Sequence, residues 1–261
     1  MKEELLQKIE TAKSPDFGNL LSKSIDLFKK IWMDSFLHLL VTFLAIIPVI
    51  LLVYLPFIPA FIRASESNDF SNLEPDLDFS IIAIVGLVIA YFIVIVIAQM
   101  ITIAITAHFF KVCKIKDYDS NEDAGGYFSY LKGGNFGKVM MLSIATFGIA
   151  IAALLLCIIP IYYVMVPLQL IVVIFAFNDK LSVSDIISLS FKLGNKFWLL
   201  LFGLIIISGL IAQIGIFLCF VGLFFTAYFT HIPIYYFYKE TIGFNGDTEE
   251  PVHDFSTQYD N

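Results

Sequence analysis

Four stretches of this chain contain no Asp, Glu, Lys or Arg: residues 35–62, 79–110, 139–177 and 197–238, which are 28, 32, 39 and 42 residues long. A helix rises ~1.5 Å per residue and a bilayer's hydrocarbon layer is ~30 Å thick, so about 20 residues cross it once. The first two stretches read as one crossing each, tilted or extending past the lipid. The other two are each about twice the length of one crossing, so each must reverse within itself. In the third the expected break is "CIIP" at 157–160, because proline has no N–H to donate and disfavours helix in the residue before it. In the fourth it falls near Gly215 to Gly222. The expectation is six crossings. At 59% hydrophobic residues, against roughly 45–50% in soluble domains, the chain reads as an all-α integral membrane protein.

Lysine placement orients it. Of 16 Lys and Arg, 15 fall in the first 30 residues, in 111–138, in 180–196, or at Lys239. With six crossings all four segments lie on one side, and the positive-inside rule makes that side cytoplasmic. The opposite side holds Arg63, with Glu66, Asp69, Glu74, Asp76 and Asp78 in its one sizeable loop. The expected location is a prokaryotic cytoplasmic (inner) membrane with both termini cytoplasmic. Residues 1–16 form a cytoplasmic segment without the apolar core of a signal peptide. Residues 241–261 read as a disordered acidic tail. Cys113, Cys157 and Cys219 imply no disulfide framework.

Similar phrases stand before three crossings: "DLFKKIWMDSF" at 26–36, "SYLKGGNF" at 129–136 and "SFKLGNKFW" at 190–198. Each completes a short amphipathic segment. Phe17, Leu20, Leu21, Phe28, Ile31 and Trp32 share one face; Ala124, Tyr127, Phe128 and Leu131 repeat the stripe behind Asp123; Ile186, Ile187 and Phe191 do so behind Ser184. Such segments lie in the headgroup plane with the apolar face down. Gly133, Gly134 and Gly194 then give the backbone freedom to turn into the bilayer, while Trp32, Phe136, Phe197 and Trp198 sit at the interface. The sequence thus reads as three repeats of an interfacial helix plus a transmembrane hairpin, at about 17–114, 123–178 and 183–240, within a membrane domain spanning 17–240.

These corners, the six crossings and the closing phrase "FYKE" at 237–240 resemble a family of poorly characterised prokaryotic membrane proteins. It includes the membrane domain attached to some glycerophosphodiester phosphodiesterases. The resemblance covers roughly residues 17 to 240. It implies a membrane module; the soluble catalytic barrel of those fusions has no counterpart in the sequence.

Signatures of nucleophilic, phosphate-binding and metal chemistry are missing, so the expectation is no enzymatic activity, no metal and no cofactor. The four histidines, 38, 108, 231 and 253, are scattered. Within the crossings lie Gln99, Thr102 and Thr106, spaced to share a face, together with Gln169, Gln213 and His231. Such groups must face protein or water. Either they join helices by hydrogen bonds, or they line a pathway. No carboxylate, Lys or Arg lies deep in a crossing, which weighs for packing. The small pairs Gly86/Ala90, Gly148/Ala152 and Ser208/Ala212 read as helix contacts within the bundle. The functional expectation is an accessory or scaffolding component of a membrane assembly, with membrane lipids and other membrane proteins as partners and no nucleic acid. The alternative is a small transporter or channel for a lipid or amphipathic solute. A cavity joining the glutamines would favour the alternative; a packed interior would favour the scaffold.

Overall fold

The computed structural model describes residues 1–67, 81–156, 158–217 and 221–244. All regular structure among them is helical. Among the described residues, five helices are long and apolar enough to cross a membrane. They are α2 (Phe17–Tyr54), α4 (Ile81–Asp117), α5 (Asn135–Leu156), α6 (Ile158–Phe177) and α8 (Trp198–Phe217); between and around them lie α1 (Lys2–Thr11), α3 (Ile58–Ser67), α7 (Val183–Lys196), α9 (Val221–Thr226) and α10 (Ile232–Thr241). Leu155, Ile159 and Leu199 are about 80% exposed (82, 81 and 78%). Exposed apolar surface on that scale suits lipid, not water.

The first amphipathic segment and the first crossing form one helix. Asp16 caps α2 by accepting from the Asn19 N–H at 2.7 Å. Ile31 then departs from helical geometry (φ −115°, ψ 16°), so the helix kinks one residue before Trp32. The expected corner is therefore a kink. Beyond it, α2 runs antiparallel to α4, with Tyr91 Oη donating to the Val53 carbonyl at 3.0 Å and His38 meeting His108 near the other end.

The second segment departs from expectation. Asp123 Oδ1 accepts from the Gly125 N–H at 2.9 Å, and Gly125 has φ +80°. This side-chain turn competes with helix, and only a 3-10 turn follows, at Ser129–Leu131. Tyr130 is buried there and donates to the Ala176 carbonyl at 2.9 Å. Burial, backed by the Asp179 charge, raises its hydroxyl above the ordinary range, keeping it a donor. Gly133 does turn the chain into α5, with φ +60° that a side chain would resist; Gly134 shows no such requirement. Phe136 is 48% exposed at the start of α5.

The third segment, α7, is a helix, capped by Ser182 instead of Ser184. It runs back along α6. Tyr163 donates to Asn195 Oδ1 at 2.6 Å, and a Cβ on Gly194 would come within 3.1 Å of Pro167 Cα. Gly194 is thus small so that two helices can approach. The turn into α8 falls at Phe197 (φ −118°, ψ 29°). The apolar face of α7 meets protein: Ile186, Leu189 and Leu193 are buried, and α1 covers them with Leu5 and Ile9. Lys196 fixes that cover, donating to the carbonyls of Ile9, Glu10 and Ala12 at 2.7, 2.7 and 2.8 Å. Phe197 also sits in the core, edge-on to Phe237, while Trp198 donates to the Tyr163 carbonyl at 3.1 Å.

The breaks in the last two apolar stretches fall where proline and glycine placed them, between α5 and α6 and between α8 and α9; Cys157 and residues 218–220 lie outside the described residues. Gly215 packs so closely on α9 that a Cβ would lie 2.4 Å from the Gly222 carbonyl carbon. Ser208 and Ala212 are buried near it, whereas Gly86, Ala90, Gly148 and Ala152 face outward, so one of the three small pairs packs inside the bundle. After α9 the chain tightens into a 3-10 segment, Ala227–His231, before α10. Pro233 explains it: without an N–H, and with its ring against the carbonyl four residues back, it cannot continue a regular helix.

α10 is the hub. Every residue from 232 to 238 is buried, as suits a helix apolar on all sides. At its end the Asp117 carboxylate accepts from Tyr235 Oη (2.7 Å), Tyr236 Oη (2.8 Å) and Lys239 Nζ (2.7 Å). Phe244 packs on Phe177, ring centroids 4.4 Å apart, so residues 241–244 belong to the bundle; 245–261 lie outside the described residues.

Candidate functional site

Three helices and the 3-10 segment line a cavity of about 600 Å³ that is open on one side. α4 supplies Gln99, Thr102 and Thr106; α5 supplies Thr146; α6 supplies Gln169; the 3-10 segment supplies His231. Five of the six residues expected on a polar face therefore share one space. Their spacing explains it: Gln99, Thr102 and Thr106 are three and four apart on α4, and the break forced by Pro233 sets His231 across from them.

The remaining wall is apolar, with Ile103, Phe147, Met165 and Leu168 among its residues; Tyr162, 53% exposed, marks where it reaches the surface. Thr102 Oγ1 donates to the Ala98 carbonyl (3.0 Å) and Thr146 Oγ1 to the Leu142 carbonyl (2.8 Å). Their protons are engaged by their own helices, which leaves the hydroxyl oxygens as acceptors. The two glutamine amides add both donors and acceptors. None of the described residues that line the cavity is Asp, Glu, Lys or Arg. Such a lining suits a solute with an apolar body and a few uncharged hydrogen-bonding groups.

Gln213 is elsewhere. It is exposed on α8, one position past Ala212, which together with Ser208 and Gly215 faces inward. A step of one residue turns about 100° around a helix, so Gln213 points away from the bundle.

A second polar group escaped the sequence reading. Tyr228, in the 3-10 segment, is hydrogen-bonded to Thr106 of the cavity wall and to Thr42 on α2, the latter at 2.8 Å. Thr42 donates to the His38 carbonyl at 2.7 Å. His38 Nε2 lies 2.8 Å from His108 Nδ1, and both rings are buried (1 and 4% exposed). His231 approaches the group, its ring 5.2 Å from Tyr228. His38 and His108 are 70 positions apart, so spacing could not pair them; the available signal was that each stands on a long helix near a basic boundary. No group of three His, Cys, Asp or Glu that could hold a metal occurs among the described residues. Compared with family models, curated proteins and solved structures, the chain matches none.

Proposed function

We propose that this chain is an inner-membrane carrier that binds an uncharged amphipathic solute in the cavity between α4, α5 and α6 and moves it through the membrane. The observation that carries the reading is the gathering of Gln99, Thr102, Thr106, Gln169 and His231 around one space of about 600 Å³, within the 300–1,000 Å³ range of small-molecule sites. A scaffold has no use for a cavity of that size lined by hydrogen-bonding groups. The broken helix at Ala227–His231 fits a carrier too, since interrupted crossings supply binding groups and hinges.

Six crossings, with the last made by α9, the 3-10 segment and α10 together, belong to the same proposal. An even number is supported by contacts that join the two ends of the chain: Lys23 pairs with Glu240 at 2.8 Å, and α1 lies against Tyr238 and Ile242. The basic segments also converge. Lys2 pairs with Asp185 at 2.5 Å, Lys30 with Asp119 at 3.6 Å, and Lys138 donates to the Asp179 carbonyl. Grouped on one side, they orient both termini to the cytoplasm. The outward-facing apolar side chains contact lipid.

Octyl glucoside, with an apolar chain and an uncharged hydroxylated head, is a suitable probe. Gln99→Leu combined with Gln169→Leu removes two amides while keeping similar volume. Calorimetry on protein in lipid nanodiscs should show affinity reduced by about tenfold, since two lost hydrogen bonds at ~0.6 kcal/mol each approach one decade. Gln213→Met should bind as the wild type does. An unchanged affinity in the double variant, or an equal loss in Gln213→Met, would refute the cavity as the binding site.

A further inference from the structure

The two buried imidazoles pose a proton-counting problem. His38 Nδ1 lies 2.6 Å from the Asp34 carbonyl, and His108 Nε2 lies 3.0 Å from the Gly125 carbonyl. A carbonyl oxygen only accepts, so both outer nitrogens carry protons. A neutral imidazole has one N–H, which leaves two lone pairs facing each other across the 2.8 Å between His38 Nε2 and His108 Nδ1. One further proton between the inner nitrogens satisfies all three contacts. Without it, one of the three must break.

We infer that His38 and His108 form a proton-binding site that holds one shared proton and is linked to occupancy of the cavity. The first half stands on hydrogen-bond geometry alone; the linkage rests on the carrier reading. The surroundings are mixed. On α2, Asp34 faces the pair; on α4, Lys111; in the 118–134 loop, Asp123 and Tyr127; in the 3-10 segment, Tyr228 and His231. Burial of the two rings opposes the shared cation most, and Lys111 adds to that, whereas Asp34 and Asp123 favour it. The physical link runs through Tyr228, whose ring packs on His38 (centroids 5.7 Å apart) while its hydroxyl holds Thr42 and Thr106. Losing the proton frees the α2–α4 contact, the Gly125 loop or the Asp34 carbonyl, and the first of these moves the wall on which Thr106 stands.

The test uses the full chain in nanodiscs with histidine ring nitrogens labelled with ¹⁵N. Between about pH 7 and about pH 4, nitrogen shifts should show the pair taking up one proton as a unit, with both outer nitrogens protonated once it is bound. His108→Gln should shift the titration of His38, and His38→Gln that of His108. Independent titrations that ignore the partner's replacement, no uptake in that range, or an unprotonated outer nitrogen in the proton-bound pair would overturn the site. For the linkage, octyl glucoside affinity should change about fivefold or more across the titration and become pH-independent in His108→Gln. Binding that ignores pH in the wild type would overturn the linkage. Failure of the wild type to bind the probe at either pH would instead sink the carrier reading, and leave the shared proton standing on its nitrogen shifts.

Discussion

Asp117→Ala is expected to destabilise the bundle by about 3 kcal/mol, the low end of the cost of removing one member of a buried ion pair. The carboxylate is 13% exposed and accepts from Tyr235, Tyr236 and Lys239, so its removal strands two phenol hydroxyls and one ammonium. The low end applies because Lys239, at 30% exposure, can still reach water. Asp117→Asn keeps one oxygen as acceptor and should lose less. Unfolding midpoints in mixed micelles, compared with Lys29→Ala at the exposed Lys29–Asp26 pair, check it. That control should change stability by less than 1 kcal/mol. Equal effects at the two sites would mean that Asp117 does not anchor α4 to α10.

Phe237→Ala should cost still more, about 3–5 kcal/mol. Phe237 is fully buried at the centre of α10 and meets Phe197 edge to face, 5.5 Å between ring centroids. Because neighbouring helices are held by many other contacts, the void cannot collapse, and the lost dispersion contacts are not regained. Leu155→Ala provides the contrast: at 82% exposure it gives up contact with lipid only and should be nearly neutral. The same unfolding assay reads both. Similar losses would place the protein-packed core elsewhere.

Much of this fold could be read from charge and proline. Length without charge located α2, α4, α5, α6 and α8, since few other physical demands produce such stretches. Pro160 and the Gly215–Gly222 region located the reversals. Amphipathic stripes were less informative, because a stripe states that a face is buried and not what buries it. The stripe of α7 was assigned to lipid, yet α1 and α6 cover it; "MKEELLQKIETAK" carries the matching Leu5 and Ile9. Gly194 was legible as a special position but not as a contact with Pro167, which lies 27 positions away in sequence.

The candidate site divides in the same way. Gln99, Thr102 and Thr106 share a helix, and their spacing set them on one face. Gln169 and His231 joined them through tertiary packing that no local pattern encodes. Gln213, polar and within an apolar stretch, had the same sequence signal, yet the inward face of α8 is the Ser208–Ala212 side. Polarity within a crossing therefore marked candidates, and neighbour geometry chose among them. The His38–His108 pair lay beyond such reasoning, because it depends on α2 and α4 running antiparallel in one register.

The central claim is that the cavity is a hydrated binding space, and a single cysteine tests it most directly. In a variant with Cys113, Cys157 and Cys219 replaced by alanine, Gln169→Cys should react with a small water-soluble maleimide, because a thiol must ionise in water to attack it. Octyl glucoside should slow that reaction by occupying the same space. Leu155→Cys, facing lipid, should stay unmodified while Ser120→Cys in the loop after α4 reacts fully. If Gln169→Cys proves no more reactive than Leu155→Cys under conditions that label Ser120→Cys, the cavity is dry and the carrier account is contradicted.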